Sequence, residues 1–423
     1  MEKLLDFLST SLTAYNACEN IRAVLSENGF KRLKETEEWE LCEGGKYFVE
    51  RGGGCLVAFV VGDLDSFSYK IAASHLDSPA LKLKENPVEK KGVVATLNTE
   101  PYGGGVWYSF FDRPLRIAGR VVKSENNRVR AETVVSPYLV TIPSLAAHQN
   151  RGVNDGFAVN PQIDLQPVLG FADGETDWLE RLSGEGKVLS YDLYLVNAQA
   201  PYFFGVNDEF LASPRIDNLT SAYASLEGLL SAAESDGVCV AAFMNAEEIG
   251  NRTAQGADGD FLENALRRIA YALRFDDNEY YKALASSFLL SVDNAHATHP
   301  NHPEKSDTTN KAALGGGVVI KSHAGGAYIT DAISSVVVKT LLDKAGVKRQ
   351  SFFNRSDVRS GSTLGASAVT RFGMAGADIG IAQLAMHSAC ECFAKSDYTE
   401  LVNALTAFYS SDFLVEEDGY IIR

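Results

Sequence analysis

VCVAAFMNAEEIG (residues 238–250) sets seven apolar residues in a row and follows them, after Asn245 and Ala246, with two adjacent acids, Glu247 and Glu248. An unbroken apolar run of this length that ends in polar residues reads as a strand buried on both faces. Two neighbouring carboxylates at its end repel each other unless a metal ion or protons compensate. On a solvated turn such a pair is ordinary. In a metallohydrolase one member binds the ion while the other moves a proton.

The surroundings repeat the pattern. Upstream, Leu219, Ala222, Tyr223, Leu226 and Leu230 recur at helical spacing, so a helix leads into the strand. Earlier apolar runs at 55–61 and 69–73 are bounded by Gly, Asp or Ser, and the second runs into Ser74-His75-Leu76-Asp77. Downstream, a helix around 261–271 precedes FLLSV (288–292), which ends at Asp293, and 333–342 reads as a further helix. At the start of the chain, Leu4, Leu5, Leu8, Leu12 and Tyr15 mark one helix and Ile21, Val24 and Leu25 a second, both suited to cover a sheet. This alternation predicts an α/β fold with a mixed sheet flanked by helices, whose functional residues gather at the carboxyl ends of strands.

Between about residues 87 and 205 the pattern changes to short β-like runs: VVATLN, LRIAGRVV, VRAETVV, YLVTI and VLSYDLYLVN, with one short helix near Trp178 to Leu182. Residues 89–205 are therefore read as an inserted, mainly β domain. The α/β domain is then discontinuous, comprising 1–88 and 206–423.

Taken singly, the polar clusters at strand ends carry bland readings. His75 and Asp77 sit two apart and face one way in an extended segment, with Asp77 able to orient the imidazole, yet a surface His beside a helix cap looks the same. Asp217 precedes a helix, where capping is the usual role of an acid. His387 in QLAMHSACE lies on an apolar stretch, as core histidines do. Asp293 opens DNAHATHPNH, whose His296, His299 and His302 suit either a solvated loop or a separate mononuclear zinc site; Asp293, at a strand end, is the better placed group.

Composition narrows the classes. A formal charge of −16, with no Lys/Arg run, repels a phosphate backbone, so nucleic acid is not an expected partner. Polar residues interrupt every apolar run before it could span a bilayer, so no membrane is expected, and the N-terminus lacks a signal-peptide pattern. Six scattered cysteines without a CxxC pair fit reduced thiols and a cytoplasmic protein. Gly361-Ser362-Thr363-Leu364-Gly365 is not a nucleophile elbow, and the runs Gly103 to Gly105 and Gly315 to Gly317 lack the GK[ST] of a phosphate loop, which leaves them as turns.

The order of the clusters is more specific than any one of them: HLD, PRIDN, NAEEIG, DNAHATHP, AMHS. With SHLDSPALKLK (74–84), YGGGVWYSFFDRPLRIAGRV (102–121), IPSLAAHQNR (142–151) and SGSTLGA (360–366), the chain resembles the aspartyl aminopeptidase family of dinuclear zinc exopeptidases over roughly residues 10 to 410. The resemblance implies that Asp217 bridges two zinc ions, that His75 and Asp293 complete one, and that Glu248 and His387 complete the other. Cobalt or manganese could replace zinc at such mixed His and carboxylate ligands. It also implies Glu247 as the general base for a metal-bridging water, and Asp77 as the supporting carboxylate behind His75.

By the same resemblance Lys321, in VVIK, binds the acidic first side chain of a peptide substrate and His296 helps to position it. The inserted domain then corresponds to the family's dimerisation domain, with His148 reaching a neighbour's active site and dimers assembling into a tetrahedral dodecamer. Most lysines on strands are simply exposed, and His148 on its partly apolar run could equally be a core residue. Ser144 and Val358-Arg359 depart from the family pattern without removing a ligand. Three other readings share this architecture: a dinuclear aminopeptidase of neutral or broad specificity, a silent assembly protein on the same shell, and a metal-dependent deacylase.

Overall fold

The structure is a computed structural model that describes residues 1–174, 178–417 and 419–423. Its centre is a nine-stranded mixed sheet in the order Lys31–Leu33, Lys46–Arg51, Cys55–Val61, Val238–Met244, Tyr69–His75, Phe288–Val292, Ala375–Gly380, Val318–Lys321, Arg349–Phe352. The four middle strands, from Val238–Met244 to Ala375–Gly380, are mutually parallel. In register Met244 pairs with His75, and Ser291 pairs with both Ala73 and Asp378, so their carboxyl ends finish side by side.

The apolar runs form strands because both faces of the sheet are covered. Along Val238–Met244 every residue is buried, with Cys239, Ala241 and Phe243 in one core and Val238, Val240, Ala242 and Met244 in another. The first core is closed by the helices Glu2–Thr10, Ala14–Glu27, Ile216–Ser231, Ala332–Lys344 and Lys395–Tyr409. The second is closed by Phe261–Ala272, Asp277–Ala285 and Leu364–Phe372. Each fully buried Leu, Val or Phe on these faces contributes about 1.5–3 kcal/mol of transfer free energy. The sheet is thus rigid where the site is built.

A second, six-stranded antiparallel sheet has the order Arg128–Val135, Leu115–Glu125, Val188–Asn197, Ala80–Lys91, Val94–Tyr102, Val168–Phe171. It carries a core of its own around Leu81, Leu97, Ile117, Val121, Leu193 and Leu195. YLVTI, read above as a strand, makes only isolated bridges, at Val140, Thr141 and Ile142. The short helix expected near Trp178 is present as Trp178–Ser183. A five-stranded sheet of short pieces, Tyr202–Phe204, Phe210–Ser213, Glu391–Ala394, Ala382–Leu384 and Ala295–His296, lies outside what periodicity could indicate. Its pieces frame the loop that carries His387.

Candidate metal centre

His75 ends its strand with the ring buried. Its Nδ1 lies 3.1 Å from the Asp77 carbonyl oxygen, so Nδ1 carries the proton and donates it there, leaving Nε2 free as a ligand atom. Nε2 faces Asp217 Oδ1 at 3.5 Å, Asp293 Oδ1 at 3.7 Å and Glu247 Oε2 at 4.0 Å. The Asp77 carboxylate is 3.4 Å from Nδ1, but its hydrogen bonds go elsewhere. It accepts the backbone N–H groups of Glu247 and Glu248, each at 3.1 Å, and the Tyr102 hydroxyl at 2.9 Å. Asp77 thereby ties the end of the His75 strand to the Glu247–Ile249 turn and fixes where both glutamates project.

Asp217 opens the helix Ile216–Ser231 without helical geometry, at φ −79° and ψ 110°. It is not a cap: its Oδ1 is buried with no hydrogen-bond partner, and its two oxygens face different imidazoles, His75 on one side and His387 Nε2, at 3.5 Å, on the other. His387 sits in a left-handed loop at φ 65°. Its Nδ1 is 3.0 Å from the Gly104 carbonyl oxygen, which again frees Nε2, now 3.4 Å from Glu248 Oε1. Gly104 belongs to the 103–105 glycine run, whose turn at Gly103 (φ 76°) passes so close to Glu248 that an added Cβ would come within 3.1 Å of that side chain.

Two groups of converging ligand atoms result: His75, Asp217 and Asp293, and Asp217, Glu248 and His387, each with all atoms within 4.8 Å of one another. Asp217 belongs to both. The N···O separations of 3.4–3.7 Å are longer than good hydrogen bonds and leave room for an ion between them. Glu248 Oε1, like Asp217 Oδ1, is buried without a partner. Leaving such an atom unsatisfied costs about 1–3 kcal/mol, more when it is charged, so the donor set fits a divalent cation in each group.

The electrostatics agree. Burial pushes the Glu247 carboxyl up to about 8; His75 pulls it down, and Asp293 and Asp77 push it further up. Burial likewise raises Glu248. Burial works against the charge on His387, but Asp217 and Glu248 outweigh it and bring the imidazole up to about 10. Burial also opposes ionisation of Asp217, and the His387 and His75 rings overcome it, holding that carboxyl well below the usual range. Without metal the cluster balances its charge with protons on groups that a metal would strip.

Lys321 is 1% exposed, so it is not a solvated strand lysine. Its Nζ lies 3.5 Å from Asp293 Oδ2 and donates to the Asn294 carbonyl at 3.2 Å, with the Tyr328 ring 5.1 Å away. Burial disfavours its charge, but Asp293 and Asp378 more than compensate and keep it above the usual lysine range. His296 is exposed at the edge of the centre, within the field of Asp217, His387, Lys321 and Asp293. The His299 and His302 rings lie tilted to each other with centroids 5.2 Å apart and belong to neither ligand group. His148 is exposed on the 143–150 loop, which removes the core reading. Sequence reasoning missed Tyr102, Gly104, Asn294, Gln383 and Glu391. All five lie in stretches quoted above, Tyr102 and Gly104 in 102–121, Asn294 in DNAHATHPNH, Gln383 and Glu391 in QLAMHSACE, but their roles rest on contacts in space that the pattern does not report.

Parallel strand ends beside two ligand groups, one buried and one half-buried, joined by the buried Asp217 carboxylate define a metallohydrolase of the α/β class. The chain belongs to the aminopeptidase I zinc metalloprotease family, M18, which is the aspartyl aminopeptidase family; its family model matches residues 7–409. The chain is 38% identical to a "Probable M18 family aminopeptidase 2" of Clostridium novyi, across 96% of this chain and 98% of that one. Among solved structures it matches a chain of an Ape4 and Nbr1 complex with a TM-score of 0.92 at 30% identity, covering 96% of this chain and 85% of that one. An S. cerevisiae mApe1 dodecamer matches with a TM-score of 0.83 at 25% identity, over 96% and 95% of the two chains. The protein is a metal-dependent aminopeptidase, and zinc is its family's metal.

Proposed function

We propose that this enzyme holds two zinc ions, with Asp217 shared between them, and removes acidic N-terminal residues from short peptides with Glu247 as general base. The observation that carries this reading is the division of the five carboxylates around the centre. Asp217, Glu248 and Asp293 fall in the ligand groups and Asp77 braces the glutamate turn. Glu247 belongs to no group yet reaches within 4.0 Å of His75 Nε2. When bound, zinc supplies Lewis acidity that polarises a carbonyl and acidifies water. Glu247, buried and biased towards holding a proton, takes one from the attacking water and passes it to the leaving amine. Asp77, through the two amide bonds it accepts, keeps Glu247 and Glu248 from exchanging roles. Glu247→Gln is expected to retain zinc and lose about 100- to 10,000-fold in kcat. A variant that binds zinc and turns over like the wild type would sink the assignment.

Lys321 supports the acidic preference. An ammonium has three donors, of which Asn294 takes one and Asp293 another, leaving one for a substrate carboxylate. His296 at the edge of the centre suits a positioning role. The same contacts favour a second reading, a broad-specificity aminopeptidase, because Asp293 and Asn294 already satisfy Lys321 without substrate. Comparing Glu- and Leu-terminated chromogenic substrates separates the two. Equal kcat/KM excludes the acidic reading.

We further take 89–205 as the dimerisation domain and 1–88 with 206–423 as the catalytic one. The separate core of the six-stranded sheet supports this division. Exposed Val129, Leu139, Leu145, Phe171 and Leu189 supply apolar surface for self-association. The match to an mApe1 dodecamer supports a homo-oligomer of this kind, which we take as dimers in a tetrahedral arrangement with His148 serving a neighbour. Unpaired thiols support a cytoplasmic setting; among the described residues no helix is long and apolar enough to cross a membrane.

A further inference from the structure

Glu391, in the strand Glu391–Ala394, is 2% exposed and belongs to neither ligand group. Its two oxygens serve two distant elements. Oε2 accepts the backbone N–H of Asp217 at 2.9 Å, and Oε1 accepts the backbone N–H of His387 at 2.6 Å. Both donors belong to residues with irregular backbone, Asp217 at the kinked start of its helix and His387 in its left-handed loop, where no ladder or helix supplies an acceptor. One buried carboxylate therefore holds the main chain of two ligands of the same group.

The contact extends to the other group. Gln383 Nε2 donates to Glu391 Oε1 at 3.3 Å, and Gln383 Oε1 accepts from Asn294 Nδ2 at 2.7 Å. Asn294 directly follows the ligand Asp293, and its Nδ2 also donates to the Ile216 carbonyl at 3.1 Å and the Thr220 hydroxyl at 2.9 Å. The buried chain Asn294–Gln383–Glu391 thus holds both polar groups of the Ile216–Asp217 peptide, its N–H through Glu391 and its carbonyl through Asn294.

We propose that Glu391 is a positioning residue that sets the placement of Asp217 relative to His387, and so the affinity and geometry of the Asp217–Glu248–His387 ion site. The inference rests on the reading above that both groups hold zinc. Three donors and no acceptor face the carboxylate, so an acceptor-only group is required. A glutamine of the same shape would turn its NH2 towards one of the two amides and lose that bond.

The test compares Glu391→Gln with the wild type by chelator-competition zinc titration of the metal-free protein, the visible spectrum of the cobalt form, thermal unfolding of the metal-free form, and kcat and KM separately. One zinc equivalent is expected to weaken about 10- to 100-fold in the variant, as for loss of other groups that orient metal ligands. The cobalt spectrum shifts and kcat falls with KM little changed, while the metal-free Tm stays that of the wild type. Wild-type affinity and spectrum in the variant overturn the proposal. So does loss of both equivalents together with a lowered metal-free Tm, which marks a merely structural residue. A wild type that binds no zinc defeats the two-zinc reading itself, and this proposal with it. If Glu391→Gln is insoluble, Gln383→Met, which removes one partner and keeps the volume, takes its place: a smaller weakening supports the proposal and unchanged affinity overturns it.

Discussion

At the scale of single residues, the centre stores charge that only metal or protons can balance. In the metal-free protein Glu247 is pushed up to about 8 and His387 to about 10, so both hold protons near neutrality, and burial raises Glu248 as well. Metal binding must displace those on the ligands, which makes affinity climb with pH and fall as pH drops towards 6. Chelator-competition titrations at pH 6, 7 and 8 should show about a tenfold change in Kd per pH unit for each proton released. A flat profile would mean the ligands are already bare. Lys321 is the other charge to test. Because it neutralises Asp293 from inside the protein, Lys321→Met should lower the Tm of the metal-free protein and tighten zinc binding there, as well as change substrate choice. Zinc content measured beside the Glu/Leu substrate ratio separates the effects, and a changed ratio at full zinc content isolates the specificity role. Single residues are where the sequence was least legible. Asp217 alone looks like a cap, and His387 alone like core, because ligation is a property of convergence in space. Their roles became readable only through the order of the motifs. Glu391 and Gln383 stayed hidden as contributors, since Glu391 binds the backbone of two ligands and Gln383 the side chains of Glu391 and Asn294, contacts that no motif reports.

Elements carried more of the signal. The long buried runs at 55–61, 69–73, 238–244 and 288–292 and the helices that precede the last two were legible because each buries a continuous apolar face, which periodicity reports directly. The strands of the five-stranded sheet were not, being two to four residues long and held by their neighbours rather than by their own pattern. YLVTI failed the opposite way, since its alternation is strand-like but its partners offer only isolated bridges. One close approach between strands shows how tightly elements fix the site. At Gly380 an added Cβ would lie 2.0 Å from the Asp293 carbonyl oxygen, on the strand next to the one that delivers that ligand. Gly380→Ala must push the two strand ends apart, at about 1–3 kcal/mol. Thermal unfolding should show a lowered Tm, and zinc titration a weakened site. A variant with unaltered Tm and affinity would mean the strand ends are looser than drawn.

For the whole molecule the open matter is whether one chain is a complete enzyme. His148 stands exposed on a loop of the β-rich half and belongs to neither ligand group of its own chain, yet it lies in a block that matches the family. If it acts on a neighbour, His148→Ala should keep zinc and fold while losing activity, and Glu247→Gln should do likewise for a different reason. Hybrids assembled from the two variants then contain sites that pair an intact Glu247 from one subunit with an intact His148 from another. Co-expressed or refolded mixtures should therefore regain activity that neither parent shows, with light scattering confirming that hybrids and parents share one assembly size. Activity equal to the sum of the parents, in mixtures shown to have exchanged subunits, would confine catalysis to the single chain. It would leave the exposed apolar residues of the β-rich half, Val129, Phe171 and Leu189 among them, without a chemical part to play.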